Sequence, residues 1–180
     1  MSSTESPVFE SIVTGLVEQN LAVVDFLFDT DTLTQMHGIL NEKLAEGSLR
    51  KAGIGNQTQH TLNDEIRSDK IHWIDNAGQH PAERRFLDIV ESLGTYLNRT
   101  CYAGIRTHEF HYACFEAGAF YKRHIDRFRN DNARKFSMVT YLNPDWTAND
   151  GGNLLLYTED GPLSILPEFG KTVIFKSDLL

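Results

Sequence analysis

Only two cysteines occur in 180 residues, and neither Cys101 nor Cys114 belongs to a C-x-x-C pair. That spacing excludes a disulfide framework, a zinc ribbon and a thioredoxin-type motif. Basic residues are the minority: 17 Lys and Arg stand against 25 Asp and Glu, for a formal net charge of -8. With no cationic excess to release counterions from phosphates, nucleic acid is not expected as a partner. The basic density that exists is local, over residues 123–129 and at Arg134-Lys135. Such runs are ordinarily solvated faces; the functional reading is recognition of an acidic co-substrate or peptide. No apolar run reaches the length of a membrane span, so no membrane association is expected. The opening residues MSSTESPVFESIV lack the basic and apolar regions of a signal peptide, which makes the cytoplasm the expected compartment. Neither G-x-S-x-G nor H-E-x-x-H occurs, so serine-hydrolase and zinc-protease chemistry have no support.

What is present is a chain 41% apolar, enough for one domain with a real core. There is no internal repeat. Phe9, Ile12, Val13, Leu16 and Val17 recur at helical spacing after Ser6-Pro7; Leu33, Met36, Ile39, Leu40 and Leu44 do so before Gly47; a third helix is predicted over 81–97. Short strands are predicted over 21–27 and 70–75. Residues 48–65 are polar and rich in glycine and asparagine, as in a long loop or lid. Gly53-x-Gly55 lacks the third glycine of a dinucleotide fingerprint. From Thr107 onward the period changes to two. Strands are predicted over 108–115, 120–124, 136–142, 152–157, 163–165 and 172–175, separated by Asn143-Pro144-Asp145, Asp150-Gly151-Gly152, Asp160-Gly161-Pro162 and Phe169-Gly170. The pattern predicts a single α+β domain over 1–180, with helical support and lid in 1–106 and a β-sandwich or barrel core in 107–180.

The chemistry is concentrated in His124-Ile125-Asp126, within Phe120-Tyr121-Lys122-Arg123-His124-Ile125-Asp126. Residues i and i+2 of a strand share a face, so an imidazole and a carboxylate would lie side by side. With a second histidine from elsewhere they make the facial triad of non-heme Fe(II) oxygenases, which leaves the opposite coordination positions open. The tripeptide alone is a weak signal among seven histidines. His72 is expected to pack locally. His108 and His111 face opposite sides of their strand, and His60 and His80 occupy loop or cap positions. Trp73 and Trp146 read as core or interface fillers.

The surrounding blocks strengthen the signal. Tyr121 to Asp126, then the run from Ser137 to Trp146 (SMVTYLNPDW), then Gly151-Gly152-Asn153-Leu154, resemble the prolyl 4-hydroxylase branch of the 2-oxoglutarate and Fe(II)-dependent dioxygenases. Upstream, the run from Ile66 to Ile74 (IRSDKIHWI) is similar to a segment of the hypoxia-inducible-factor prolyl hydroxylases and their bacterial relatives. The resemblance implies a double-stranded β-helix (jelly-roll) core flanked by N-terminal helices. It implies Fe(II), 2-oxoglutarate and O₂ as cofactor and co-substrates, with ascorbate as a further candidate. The implied partner is a protein or peptide containing proline; the oligomeric state is not readable.

By the same resemblance, His124 and Asp126 are iron ligands and Tyr141 donates to the 2-oxoglutarate carboxylate. Phe115 stands where a second tyrosine is usual, which leaves Tyr112 and Tyr121 as nearby phenols able to supply that hydroxyl. Arg67, Asp69, Arg123 and Arg134 are candidates for the substrate rim and lid. Asp69 is expected to pair with Arg134. The family's second iron-binding histidine and co-substrate arginine follow the Phe-x-Ser-Asp stretch, here Phe175-Lys176-Ser177-Asp178, after which the sequence reads Leu179-Leu180. A reading frame that continues is the favoured expectation, and a chain ending there is expected to turn over poorly. The alternatives are an oxygenase of the same fold acting on another substrate and a non-catalytic binding module.

Overall fold

The computed structural model describes residues 5–53, 63–75, 77–126 and 134–178. The chain opens with α1 (Glu5–Glu18) and β1 (Leu21–Asp25), followed by α2 (Thr30–Ala45), β2 (Arg50–Lys51), β3 (Lys70–Trp73) and α3 (Pro81–Cys101). Then come β4 (His111–Cys114), β5 (Phe136–Thr140), a 3-10 turn (Ala148–Asp150), β6 (Leu154–Thr158), β7 (Gly161–Ile165) and β8 (Lys171–Lys176). The fold is α+β, as the sequence predicts. The expected division into a helical first part and a β second part is not clean, because β1 pairs with β8 and β3 pairs with β4. Residues 54–62, the middle of the expected lid, lie outside the described residues, as do 127–133 between Asp126 and Arg134.

Local chemistry explains the helix boundaries. Asp29 caps α2 by accepting from Thr32 N at 2.8 Å and Thr32 Oγ1 at 2.7 Å. At α3, Pro81 supplies the first turn. His80 Nδ1 accepts from Ala82 N while the Glu83 side chain accepts from His80 N, a capping box with histidine in the cap position. Arg85 of α3 donates to Thr32 Oγ1 at 3.0 Å and so joins the two helices. Phe28 and Phe86 stack at 4.7 Å inside the core between α2, α3 and β4.

The antiparallel sheet β1-β8-β5 separates two apolar layers. Ala22, Phe136, Met138 and Ile174 pack with α1 and α3. The alternate residues Leu21, Val173 and Phe175 pack with Leu156 and Ile165 of the β6–β7 hairpin, with Tyr141 at the margin. The period of two therefore puts the odd-numbered residues of β5 on the hairpin side. A second sheet runs β2-β3-β4.

Two expected elements differ. β7 begins at Gly161 and includes Pro162, which lies opposite Tyr157 in a hairpin closed by Glu159 and Asp160. A proline lacks a ladder donor, and a two-stranded ribbon tolerates one. Residues 120–124 form no strand. Tyr121 makes an isolated bridge to Arg67, flanked by Ser68 N to Phe120 O at 3.0 Å and Lys122 N to Ile66 O at 2.9 Å. Beyond Lys122 the backbone turns away, and its carbonyl is taken by a side chain instead of a neighbouring strand.

Candidate metal centre

That side chain is His124. Its Nδ1 lies 2.6 Å from the Lys122 carbonyl. A carbonyl only accepts, so Nδ1 carries the hydrogen and Nε2 is the nitrogen left for other work. Nε2 lies 2.9 Å from Asp126 Oδ1. A neutral imidazole with Nδ1 protonated would turn a lone pair toward a carboxylate oxygen. The contact is favourable only with a cation there, either a proton on Nε2 or a metal ion between the two groups. Burial opposes the imidazolium, but the Asp126 hydrogen bond and the Lys122 carbonyl outweigh it, so the His124 pKa lies above its ordinary value. Burial also works to raise the Asp126 pKa, and its bonds to His124 and Ser137 outweigh that and hold it below the usual carboxylate value.

The expected convergence is present, but its expected cause is not. His124 and Asp126 meet through a turn in which a backbone carbonyl sets the imidazole, not through the pleat of a strand. The other Asp126 oxygen, Oδ2, accepts from Ser137 Oγ at 2.5 Å, and Ser137 Oγ lies 2.9 Å from Ser177 Oγ. Ser177 is fully buried. A hydroxyl has one hydrogen, so if Ser137 donates to the carboxylate, Ser177 must donate to Ser137. The donor set of imidazole nitrogen and carboxylate oxygen, each fixed by a further hydrogen bond, fits a borderline divalent metal such as iron. Among the described residues, no third His, Cys, Asp or Glu joins them in a metal-sized group.

The other expected site residues separate into those the fold gathers and those it does not. Arg67 and Tyr121 are gathered. The Tyr121 ring stacks on the His124 imidazole with centroids 3.5 Å apart and planes within 15°, and the Arg67 guanidinium lies 4.5 Å from the Tyr121 centroid. Asp69 corrects its expected pairing. It is 1% exposed and accepts both arms of Arg67, at 2.6 and 2.9 Å. Arg134 instead donates to the Asp126 carbonyl at 3.1 Å and to Glu109 at 3.0 Å. The nearer guanidinium, two residues away on the same segment, takes the carboxylate. Arg123 sits 3.9 Å over the Tyr157 ring and ties the site segment to the hairpin.

Tyr112 is a second correction. β4 turns it into the helical core, where it is 3% exposed and donates to Glu83 at 3.2 Å. A hydroxyl committed to the first turn of α3 does not supply the site. Tyr141 follows Ser137 and Val139 on the hairpin side. It is half-buried, its pKa is pushed well up by burial, and its hydroxyl has no hydrogen-bond partner among the described residues. Phe115 is exposed. Ser137 and Ser177 were not singled out from the sequence. Ser137 shares the alternating face of Val139 and Tyr141, whereas Ser177 follows the end of β8 and left no comparable signal.

Comparison with known proteins fits this geometry. Residues 110–180 match the 2OG-Fe(II) oxygenase superfamily. The chain is similar to a prolyl-4-hydroxylase from Pseudomonas putida, at 32% identity and a TM-score of 0.87 over 96% of this chain and 88% of that one. It is similar to a prolyl hydroxylase from Trichoplax adhaerens solved with a hypoxia-inducible-factor oxygen-degradation-domain peptide, at 26% identity and a TM-score of 0.84, covering 97% of this chain and 80% of that one. Among curated sequences it is 26% identical to Egl nine homolog 1 of Homo sapiens over 94% of its length, but spans only 41% of that protein; for the Rattus norvegicus homologue the share is 52%.

Proposed function

The chain belongs to the 2OG-Fe(II) oxygenase superfamily, and from that membership we propose that it is an Fe(II)- and 2-oxoglutarate-dependent oxygenase that hydroxylates a prolyl residue of a protein or peptide. The observation that carries this reading is the 2.9 Å approach of His124 Nε2 to Asp126 Oδ1, with Nδ1 committed to a carbonyl. His124 and Asp126 would hold the metal. When bound, iron supplies the activation of O₂ that couples oxidation of 2-oxoglutarate to insertion of oxygen into a C–H bond.

The chain's own residues prepare that chemistry. The Lys122 carbonyl keeps the hydrogen on Nδ1, so Nε2 is always the ligating atom. Ser137, backed by Ser177, holds the second Asp126 oxygen so that the first faces the imidazole. Tyr141, whose phenol is raised far above titration in the physiological range, stays a hydrogen-bond donor and is the group we assign to a 2-oxoglutarate carboxylate. Leu156, Ile165, Val173 and Phe175 keep water from that side of the site. We read the β1-β8-β5 sheet and the β6–β7 hairpin as facing walls of a jelly-roll. Arg123 and Tyr157 lie on the segments that would border an incoming peptide. The same proposal places the protein in the cytoplasm, where the free thiols of Cys101 and Cys114 would stay reduced.

The test is turnover by the full-length protein with Fe(II), 2-oxoglutarate, ascorbate as reductant, and proline-containing proteins from the same cell. The expected result is succinate formation matched by one added oxygen on a prolyl residue, both abolished by His124→Ala and Asp126→Ala. Succinate formation that survives both substitutions overturns the reading.

A further inference from the structure

The stack on His124 carries an inference that rests on the proposed metal site and goes beyond it. An imidazole ligand has two rotational freedoms, and the hydrogen bond from Nδ1 to Lys122 fixes only one atom in space. The ring can still pivot about that bond and swing Nε2 away from Asp126. What opposes the pivot is a flat surface. Tyr121 lies against the imidazole nearly parallel at 3.5 Å, which fixes the plane of the ring.

Tyr121 is itself held. With one face covered by the imidazole, its other face is the one left for the Arg67 guanidinium, 4.5 Å away. Arg67 is anchored in turn by a two-armed bond to Asp69, which is almost wholly buried at the start of β3. A planar guanidinium held by a carboxylate at both arms is one of the stiffer arrangements a side chain can adopt. The backbone bridge between Arg67 and Tyr121 sets the register of the two segments.

We infer that Tyr121 is a positioning residue for the metal-binding histidine, and that Arg67, clamped by Asp69, acts through Tyr121 to hold the imidazole plane. Residues 67–69 thereby govern metal affinity without touching the metal. A purely structural role for Arg67-Asp69 would affect folding and leave metal affinity in the folded protein unchanged.

The experiment titrates Mn(II) into metal-free, full-length protein and follows binding by electron paramagnetic resonance, with circular dichroism and melting temperature confirming the fold. His124→Ala is the control for the site itself. Tyr121→Phe keeps the flat ring and should bind Mn(II) as the parent does. Tyr121→Leu keeps apolar bulk without the plane and should weaken binding about ten-fold, the lower end of what loss of an orienting partner costs at metal sites. Arg67→Lys keeps the charge but loses the fork and should weaken binding less. Adding it to Tyr121→Leu should produce no further loss, because both changes act through one contact. Parent-like affinity in folded Tyr121→Leu, or fully additive losses, overturns the inference while leaving the metal site standing. Unchanged binding in His124→Ala overturns the site and the inference together.

Discussion

Replacing Ser137 by alanine tests the arrangement around Asp126 most directly. The substitution removes the hydroxyl that bonds Asp126 Oδ2 at 2.5 Å and takes the neighbour of the fully buried Ser177 hydroxyl. A hydrogen bond to a charged group contributes about 1.5–3 kcal/mol, and a buried hydroxyl left without a partner costs about 1–3 kcal/mol. Asp126 keeps part of its side chain in solvent, so water recovers some of the first loss, and Ser177 can turn to a water admitted by the missing oxygen. The lower ends add to about 2.5 kcal/mol, and the water's share brings the expected loss to about 2 kcal/mol in all. For a domain of this size that is a fall in melting temperature of roughly 4–8 °C. Ser177→Ala removes the donor at the end of the chain and strands nothing buried, so it should cost about 1 kcal/mol. The order matters more than the values: Ser137→Ala is worse than Ser177→Ala, and Ser137→Thr, which keeps the hydroxyl on a β-branched strand residue, is the mildest. Only Ser137→Ala should also weaken Mn(II) binding, by about ten-fold. Thermal melts and metal titration on the same preparations decide the matter. Equal melting temperatures and equal affinities for parent and Ser137→Ala would refute the idea that the two serines hold the carboxylate.

Three further outcomes are expected. Tyr141→Phe should raise the 2-oxoglutarate KM with little change in melting temperature; an unchanged co-substrate dependence would remove Tyr141 from the site. Tyr112→Phe should do the reverse, lowering stability by about 1–2 kcal/mol because buried Glu83 Oε1 loses its donor while Oε2 keeps the His80 amide, and leaving the 2-oxoglutarate KM alone; a raised KM would return Tyr112 to the site. Metal affinity should climb as pH rises through the raised His124 pKa, because the metal and the Nε2 proton compete. In the metal-free protein the signs run the other way. The His124 contribution to stability is full below its unfolded value and lost as pH rises through its folded one; the Asp126 contribution is full above its unfolded value and lost as pH falls through its lowered folded one. Stability of the metal-free form should therefore be best in mildly acidic solution, and chemical denaturation across the pH range would expose a contrary trend.

How much of this was legible in the sequence varied with the range of the interaction. The helices and most strands followed from periodicity; the Asp29 cap was not singled out, although aspartate is among the preferred cap residues. His80 was read only as a loop or cap position; its capping box with Glu83 was not, since histidine is not among the preferred cap residues. His124 and Asp126 were legible as a pair because their spacing is local. The route by which they meet was not, because it depends on residues 66–68 lying beside 120–122, a pairing across more than fifty positions that leaves no local pattern. The same pairing separated two tyrosines that had been read as alternatives for one role. It brought Tyr121 onto the histidine, while the inward phase of β4 sent Tyr112 to Glu83. Asp69 was read as a partner for Arg134 on analogy, yet a closer guanidinium was available at Arg67. Burial decides such contests, since a carboxylate this deep keeps the partner that satisfies both oxygens.

The central strand of the β1-β8-β5 sheet has a consequence for amide exchange. β8 is bonded along both edges and packed on both faces, so its amides should open only when the whole domain unfolds. Among the described residues, the segment bearing His124 is joined to the rest by two backbone bonds around Tyr121 and then by side chains. Its amides should exchange through a far smaller opening. The two halves of the site thus stand on different rungs of the exchange ladder: Ser137 and Ser177 beside the slowest strand, His124 on a fast one. A metal bound at such a site would be released by lifting one short segment that carries both His124 and Asp126, with the sheet beside it still closed.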